Sequence, residues 1–281
     1  MDTQSTKVSA TRQKSQSPLR SAKSTAKSPR KIHKYDIFFT IFVLTWTMLA
    51  TVAGQILAAY PLHWILGDKL QEPGWMLLYY LLTYAIGLGM LIWIPPALVK
   101  LYRKNHPDLN NKAVAQVEQD LASTPTEMGV QHLPTFIDIG LAPIGYVIYL
   151  FMAAVLTSLM SAFTWFNVDQ AQDVGFGYFV TDLDRIFALL AVVFIAPIAE
   201  ELIMRGWLYG KVRRKWQAPV AILLVSFVFA VLHGQWNVGV SVFALSIILC
   251  TLREITGTIW SGMLLHILSN GIAFYLLYVA I

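Results

Sequence analysis

The sequence predicts an all-α protein, a polytopic bundle of about seven membrane-spanning helices. Of the 281 residues, 56% are hydrophobic and only 13% are charged, against about 25% charged in soluble domains. Apolar runs recur along the chain, several near the ~20 residues a helix needs to cross a bilayer. Lys and Arg collect in alternate loops between these runs, which is a topology signal. The net charge of +5 therefore predicts no nucleic-acid partner.

The elements follow in chain order. Residues 1–34 hold nine Lys/Arg and one acid, Asp2, among Ser and Thr with almost no large apolar residue. That composition predicts a disordered basic cytoplasmic tail; binding to anionic lipid is the sharper alternative. No small-residue cleavage site accompanies the first apolar run, so no cleaved signal peptide is expected. Residues 35–165 are expected to hold the N-terminal spans, at 37–59, 75–99 and 140–165. Between the last two lies a cytoplasmic interfacial loop, 101–139. Its "NKAVAQVEQDL" sets Ala113, Val114, Val117 and Leu121 on one helical face, as an anchor or a gate. Residues 166–281 form the remaining part, with runs at 186–209, 218–236, 238–251 and 258–281. The run at 238–251 is the short one, expected to pair with its predecessor as a tight hairpin.

Charge sets the orientation. With the N-terminus inside, the outer loops carry only Lys69 and Arg185, and the third outer loop carries Asp169, Asp173, Asp182 and Asp184. This predicts a multi-pass plasma-membrane protein, N-terminus cytoplasmic and C-terminus outside. Trp64, Trp75, Trp165, Trp216, Trp236 and Trp260 sit near predicted span ends, as an aromatic belt would place them. The single cysteine, Cys250, lies in an apolar run and cannot form an intramolecular disulfide.

Against this background the run "IAPIAEELIMR" is anomalous, with Glu200, Glu201 and Arg205 inside a span. Ionisable residues within a bilayer are costly and point to function. His233, in "FVFAVLHGQW", and His266, in "GMLLHILSNG", are the histidines within spans. Phe229 precedes His233 by four residues and Asn270 follows His266 by four, so each pair shares a helix face. Glu201 and Arg205 have the same spacing and can pair, which leaves Glu200 about 100° around the helix. Pro197 removes a backbone bond beside them. Singly, each has a structural reading: an ion pair as glue, a histidine or an asparagine bonding between helices. Together they predict one polar cavity, expected to open to the cytoplasm. Depths agree for Glu201 and His266, at roughly 15 and 12 Å from the cytoplasmic edge, but not for His233, at roughly 22 Å. A tilted fifth helix, or one starting outside the bilayer, would reconcile them.

"EELIMR", "FAVLH" and "HILSN", in that order on three apolar helices, resemble the EExxxR, FxxxH and HxxxN/D motifs of the CAAX-protease and bacteriocin-processing family. The resemblance covers about 186–281 and departs at no motif position. It implies an intramembrane endopeptidase of the Ras-converting type acting on a membrane-associated peptide or protein. The catalytic residues would be Glu200 and His233, which activate a water, with His266 and Asn270 at the oxyanion. Glu201, Arg205 and Phe229 would support them. Membrane lipids are the other expected partner. No cofactor is expected. The alternative is zinc held by Glu200, His233 and His266, although no HExxH is present. Two other functions stay open: a non-catalytic membrane partner or bacteriocin-immunity protein, and a transporter with a Glu/His relay. No internal repeat supports the transporter.

Overall fold

Backbone polar groups in hydrocarbon have no water to bond, so an apolar chain of this length must satisfy them within helices. The computed structural model describes residues 33–107, 111–170 and 181–280. The predicted basic tail up to residue 32, and Asp173, lie outside the described residues. The helices are α1 (Lys34–Leu66), α2 (Pro73–Asn105), α3 (Asn111–Leu121), α4 (Pro125–Met128) and α5 (Phe136–Met160). They continue as α6 (Asp182–Lys215), with two π-helical stretches inside it, α7 (Ala218–Leu232), α8 (Trp236–Thr256) and α9 (Trp260–Tyr278). No strand occurs among the described residues. Among the described residues six helices are long and apolar enough to cross a membrane, and α7 is a shorter apolar helix.

The short member of the hairpin is thus the fifth run and not the sixth. α7 stops because Gly234 takes φ 67°, a left-handed conformation that only glycine adopts cheaply. α8 then runs 21 residues, so the predicted short run was the interior of a full-length helix.

α1 and α2 form an antiparallel pair that depends on glycine. A Cβ on Gly54 would lie 2.6 Å from the Thr83 carbonyl oxygen and 3.1 Å from the Gly87 nitrogen. Small residues of this kind let backbones approach where lipid supplies no hydrophobic drive. α5 packs on α8 and α9, and α2 packs on α6. His33–Ile281 forms one compact unit.

One end of the bundle gathers the cations. Lys215 bonds Asp120 at 2.6 Å and Trp216 donates to Thr40 at 2.7 Å, joining the end of α6 to α3 and the start of α1. Arg213 bonds Glu254 at 2.7 Å, and Arg103 bonds Glu118 at 3.1 Å, bringing in the ends of α8 and α2. At 34 residues, α6 is roughly 51 Å long, well beyond the ~30 Å hydrocarbon core. It is therefore long enough to extend past the apolar layer.

The interfacial helix exists as α3, but it is packed rather than lying free. Leu121 is buried, Val114 and Val117 half-buried, and Ala113 exposed. Burial alone would raise the Asp120 carboxyl. Hydrogen bonds from Lys215, Tyr35 and Gln116 instead hold it below the usual carboxylate value.

Besides Asp120, two carboxylates outside the anomalous run are buried, Asp36 and Asp138. Both lie in first helical turns, where a carboxylate suits free backbone N–H groups. Asp138 also accepts from Ser261 at 2.6 Å.

Candidate functional site

α6 departs from regular geometry on both sides of the carboxylates. Leu190–Ile195 and Leu202–Leu208 are π-helical, and Ala196–Glu201 between them is α-helical. Single π-turns inside helices recur at functional sites. Proline explains the first. Within that stretch Ala196 N–H bonds the Ala191 carbonyl, five residues back. The next bond in this register would join residue 197 to the Val192 carbonyl, but Pro197 has no N–H to give. Asn270 Nδ2 takes that carbonyl instead, at 3.0 Å. The bond also fixes the amide orientation, because a carbonyl only accepts.

Glu201 and Arg205 form the predicted pair, at 2.8 Å with both side chains fully buried. Arg205 also donates to Ser246 Oγ at 2.8 Å, and its guanidinium lies 4.7 Å over the Phe229 ring. Glu201 then reaches across to α9, where its Oε1 accepts from His266 Nδ1 at 3.1 Å. α9 can come this close because residue 262 is glycine; a Cβ there would meet Glu201 Oε2 at 3.2 Å. The pair thus orients His266, whose Nε2 is 3.7 Å from Glu200 Oε2. Phe229 stacks edge-on against both histidines, 4.9 Å from the His233 ring and 5.9 Å from the His266 ring.

Glu200 points away from the pair, as its position on the helix requires, and is partly exposed to a cavity of about 690 Å³. That is within the range of about 300–1,000 Å³ for ligand pockets. Glu200, Phe229, His233, His266 and Asn270 all line it. His233 caps α7, and its Nδ1 lies 2.8 Å from the Phe229 carbonyl. The carbonyl accepts, so Nδ1 carries the proton and Nε2 of the neutral ring is left as an acceptor.

The structure therefore brings the four sequence-predicted catalytic residues to one cavity and sets Glu201 and Arg205 behind it. Two further residues join them. Tyr84 of α2 donates to Glu200 Oε1 at 2.6 Å, and Ser246 of α8 holds Arg205. Neither belongs to a motif. Tyr80 and Tyr84 share a face of α2, but tyrosine is ordinary in an apolar helix and gave no signal.

Glu200 and His266 approach each other, but among the described residues no group of three or more His, Cys, Asp or Glu could hold a metal ion. Phe229 packs edge-on against both His233 and His266, and His266 Nδ1 is already committed to Glu201. The cavity lining runs to Met76, Val168 and Asn237, toward the end of the bundle away from the cations.

Residues 182–272 match a family model, Rce1-like, described as type II CAAX prenyl endopeptidase. No curated protein and no solved structure matches the chain.

Proposed function

Taking as premise that residues 182–272 belong to the CAAX-protease family, we propose that the chain is an intramembrane endopeptidase. Its substrate is a membrane-associated peptide or protein, and Glu200 activates the water. The observation that carries this reading is the shared cavity. Glu200, His233, His266 and Asn270, from three helices, line one space beside a buried ion pair.

The chemistry follows from the contacts. Peptide hydrolysis needs a base for water, donors at the tetrahedral oxygen, and a proton for the leaving amine. A water held between the Glu200 carboxylate and His233 Nε2 gives its proton to Glu200 as its oxygen bonds the carbonyl carbon. Glu200 returns that proton to the amine nitrogen as the C–N bond breaks. Tyr84, bonded to the other carboxylate oxygen, fixes which oxygen faces the water. His266 Nε2 and the second amide hydrogen of Asn270 face the developing oxyanion. To donate there, His266 must carry a proton on Nε2 as well as the one directed at Glu201. No metal is used. The protein sits multi-pass in the plasma membrane, with the cation-rich end and the N-terminus on the cytoplasmic side.

The test is cleavage of a panel of membrane-tethered peptides, with and without a lipid anchor, by purified protein in liposomes. Wild type should cleave a subset and Glu200→Gln should cleave none. Equal turnover by both would end the glutamate mechanism. Loss of activity on chelation and recovery with zinc would end the metal-free one. Activity in neither, with the variant folded and still able to bind a partner, would favour the immunity-type reading.

A further inference from the structure

We infer that Gln55 and Ser241 are substrate-binding residues, which hydrogen-bond the main chain of an extended peptide as it lies against Glu200. This deepens the peptidase reading and rests on it for the chemistry.

Three observations converge. First, both residues lie at the level of the catalytic groups. Arg205 bonds Ser246 and Arg213 bonds Glu254, two contacts between α6 and α8 that each span 41 positions. The two helices therefore run the same way, and the same offset joins Glu200 to Ser241. The packing of α7 on α8 agrees. A Cβ on Gly239 would lie 3.2 Å from the Ala230 carbonyl oxygen, which sets Ser241 within a turn of Phe229. On α1, a Cβ on Gly54 would meet the Thr83 carbonyl, and one on Gly87 the Ala50 carbonyl. Gln55 is thus level with Tyr84, which holds Glu200. Gln55 and Ser241 line the same cavity as Glu200. They come from helices that carry no motif residue.

Second, neither side chain has a hydrogen-bond partner among the described residues. Both lie in helices apolar enough to span a membrane, where an unpaired polar group is costly. Other hydroxyls on these two helices are satisfied by their own backbone. Thr40, Thr47 and Thr51 of α1, and Thr251 and Thr256 of α8, donate to the carbonyl four residues back. Thr51 does so although it also lines the cavity. Gln55 is exposed and Ser241 half-buried, so both can meet a molecule held there.

Third, their chemistry matches a peptide main chain. A peptide unit offers one N–H donor and one carbonyl acceptor. The glutamine carboxamide offers both kinds of group, and a serine hydroxyl donates and accepts. A helix keeps its own N–H and C=O groups bonded to each other, so a scissile segment must be extended before a water can attack its carbonyl carbon. Within a bilayer the groups freed in this way have no water to bond. Neutral polar side chains at the level of Glu200 replace those bonds without burying another charge. The substrate class is a membrane-associated protein whose cut segment is extended or readily unwound.

Binding tests the inference without cleavage. A fluorophore-labelled, membrane-tethered peptide is titrated against Glu200→Gln protein in liposomes, which leaves the peptide intact. Gln55→Leu and Ser241→Ala, each added to that background, should weaken binding about five- to tenfold, the loss of one hydrogen bond. Ser241→Thr keeps the hydroxyl and should bind as before. The peptide is then made with one backbone amide at a time replaced by an ester, which removes a single N–H. At one or two positions the ester should weaken binding, and that penalty should disappear in the Gln55→Leu or the Ser241→Ala protein. Unchanged affinity in both variants, or an ester penalty equal in every background, would overturn the inference, as would folded protein that binds no peptide. A Cys250 thiol as shielded as in the parent protein shows that a variant is folded. The two readings fail separately. Peptide bound with these couplings but left uncut when Glu200 is present would refute the peptidase and keep the binding site. Peptide cut with KM unchanged in both variants would do the opposite.

Discussion

Removing Arg205 should destabilise the protein through Glu201 more than through any lost packing. In Arg205→Leu the Glu201 carboxylate stays fully buried and loses its 2.8 Å partner. It retains one hydrogen bond, from His266 Nδ1 at 3.1 Å. Ser246 loses the donor to its hydroxyl, and Phe229 loses the guanidinium above its ring. Breaking a buried pair from one side costs about 3–5 kcal/mol, because the remaining charge is uncompensated. A lost neutral hydrogen bond costs only about 1 kcal/mol. Most of the cost should therefore vanish when Glu201 is already neutral. Arg205→Leu in a Glu201→Gln background should cost about 1–2 kcal/mol, the sum of the lost Ser246 bond and part of the ring contact. The coupling between the two sites should be about 2–3 kcal/mol. The chain carries its own reporter, since its single cysteine, Cys250, is buried. A thiol-reactive fluorogenic dye then follows unfolding in detergent for all four members of the cycle. The same cost for Arg205→Leu in both backgrounds would refute the reasoning and make Arg205 a packing residue.

Further outcomes follow from the same contacts. Glu200→Gln keeps shape and removes the base, so turnover should vanish while substrate affinity, from a binding assay with the same peptide, changes little. His266→Ala removes an oxyanion donor and should lower kcat about a hundredfold or more with a much smaller change in KM; a pure KM effect would reassign it to binding. Tyr84→Phe should reduce kcat with little change in KM, because Glu200 loses the donor that holds its carboxylate; an unchanged kcat would make Tyr84 structural. Asp120 titrates below the usual carboxylate value when folded. Its stabilisation should be complete above the unfolded carboxyl's pKa of about 3.9 and be lost as pH falls through the lower folded value. Asp120→Asn should flatten that acid-side decline in thermal unfolding; a decline as steep as wild type's would show that other carboxyls carry it.

The sequence by itself determined the class of fold and singled out polar residues that the structure gathers at one cavity. A bilayer imposes length and polarity on every span, so hydropathy alone locates the helices, with ends off by up to seven residues. The cost of burying charge makes Glu200, Glu201 and Arg205 conspicuous where they would be ordinary in a soluble protein. Spacing by four residues was enough to pair Glu201 with Arg205, because that contact lies within one helix. What lay between helices was not legible. Tyr84 and Ser246 are unremarkable residues until packing sets one against Glu200 and the other against Arg205. The role of Asn270 as partner to the Val192 carbonyl depends on a π-turn that Pro197 permits but does not announce. The break at Gly234 divided the α7–α8 hairpin differently from the apolar runs, because a left-handed residue ends a helix whatever the polarity around it. Above all, the packing of the second loop was decided only in three dimensions. Its composition allows an anchor or a gate, and what holds it is the backbone of Glu127 and Gly129 meeting α8 and the start of α9, contacts between residues more than a hundred positions apart.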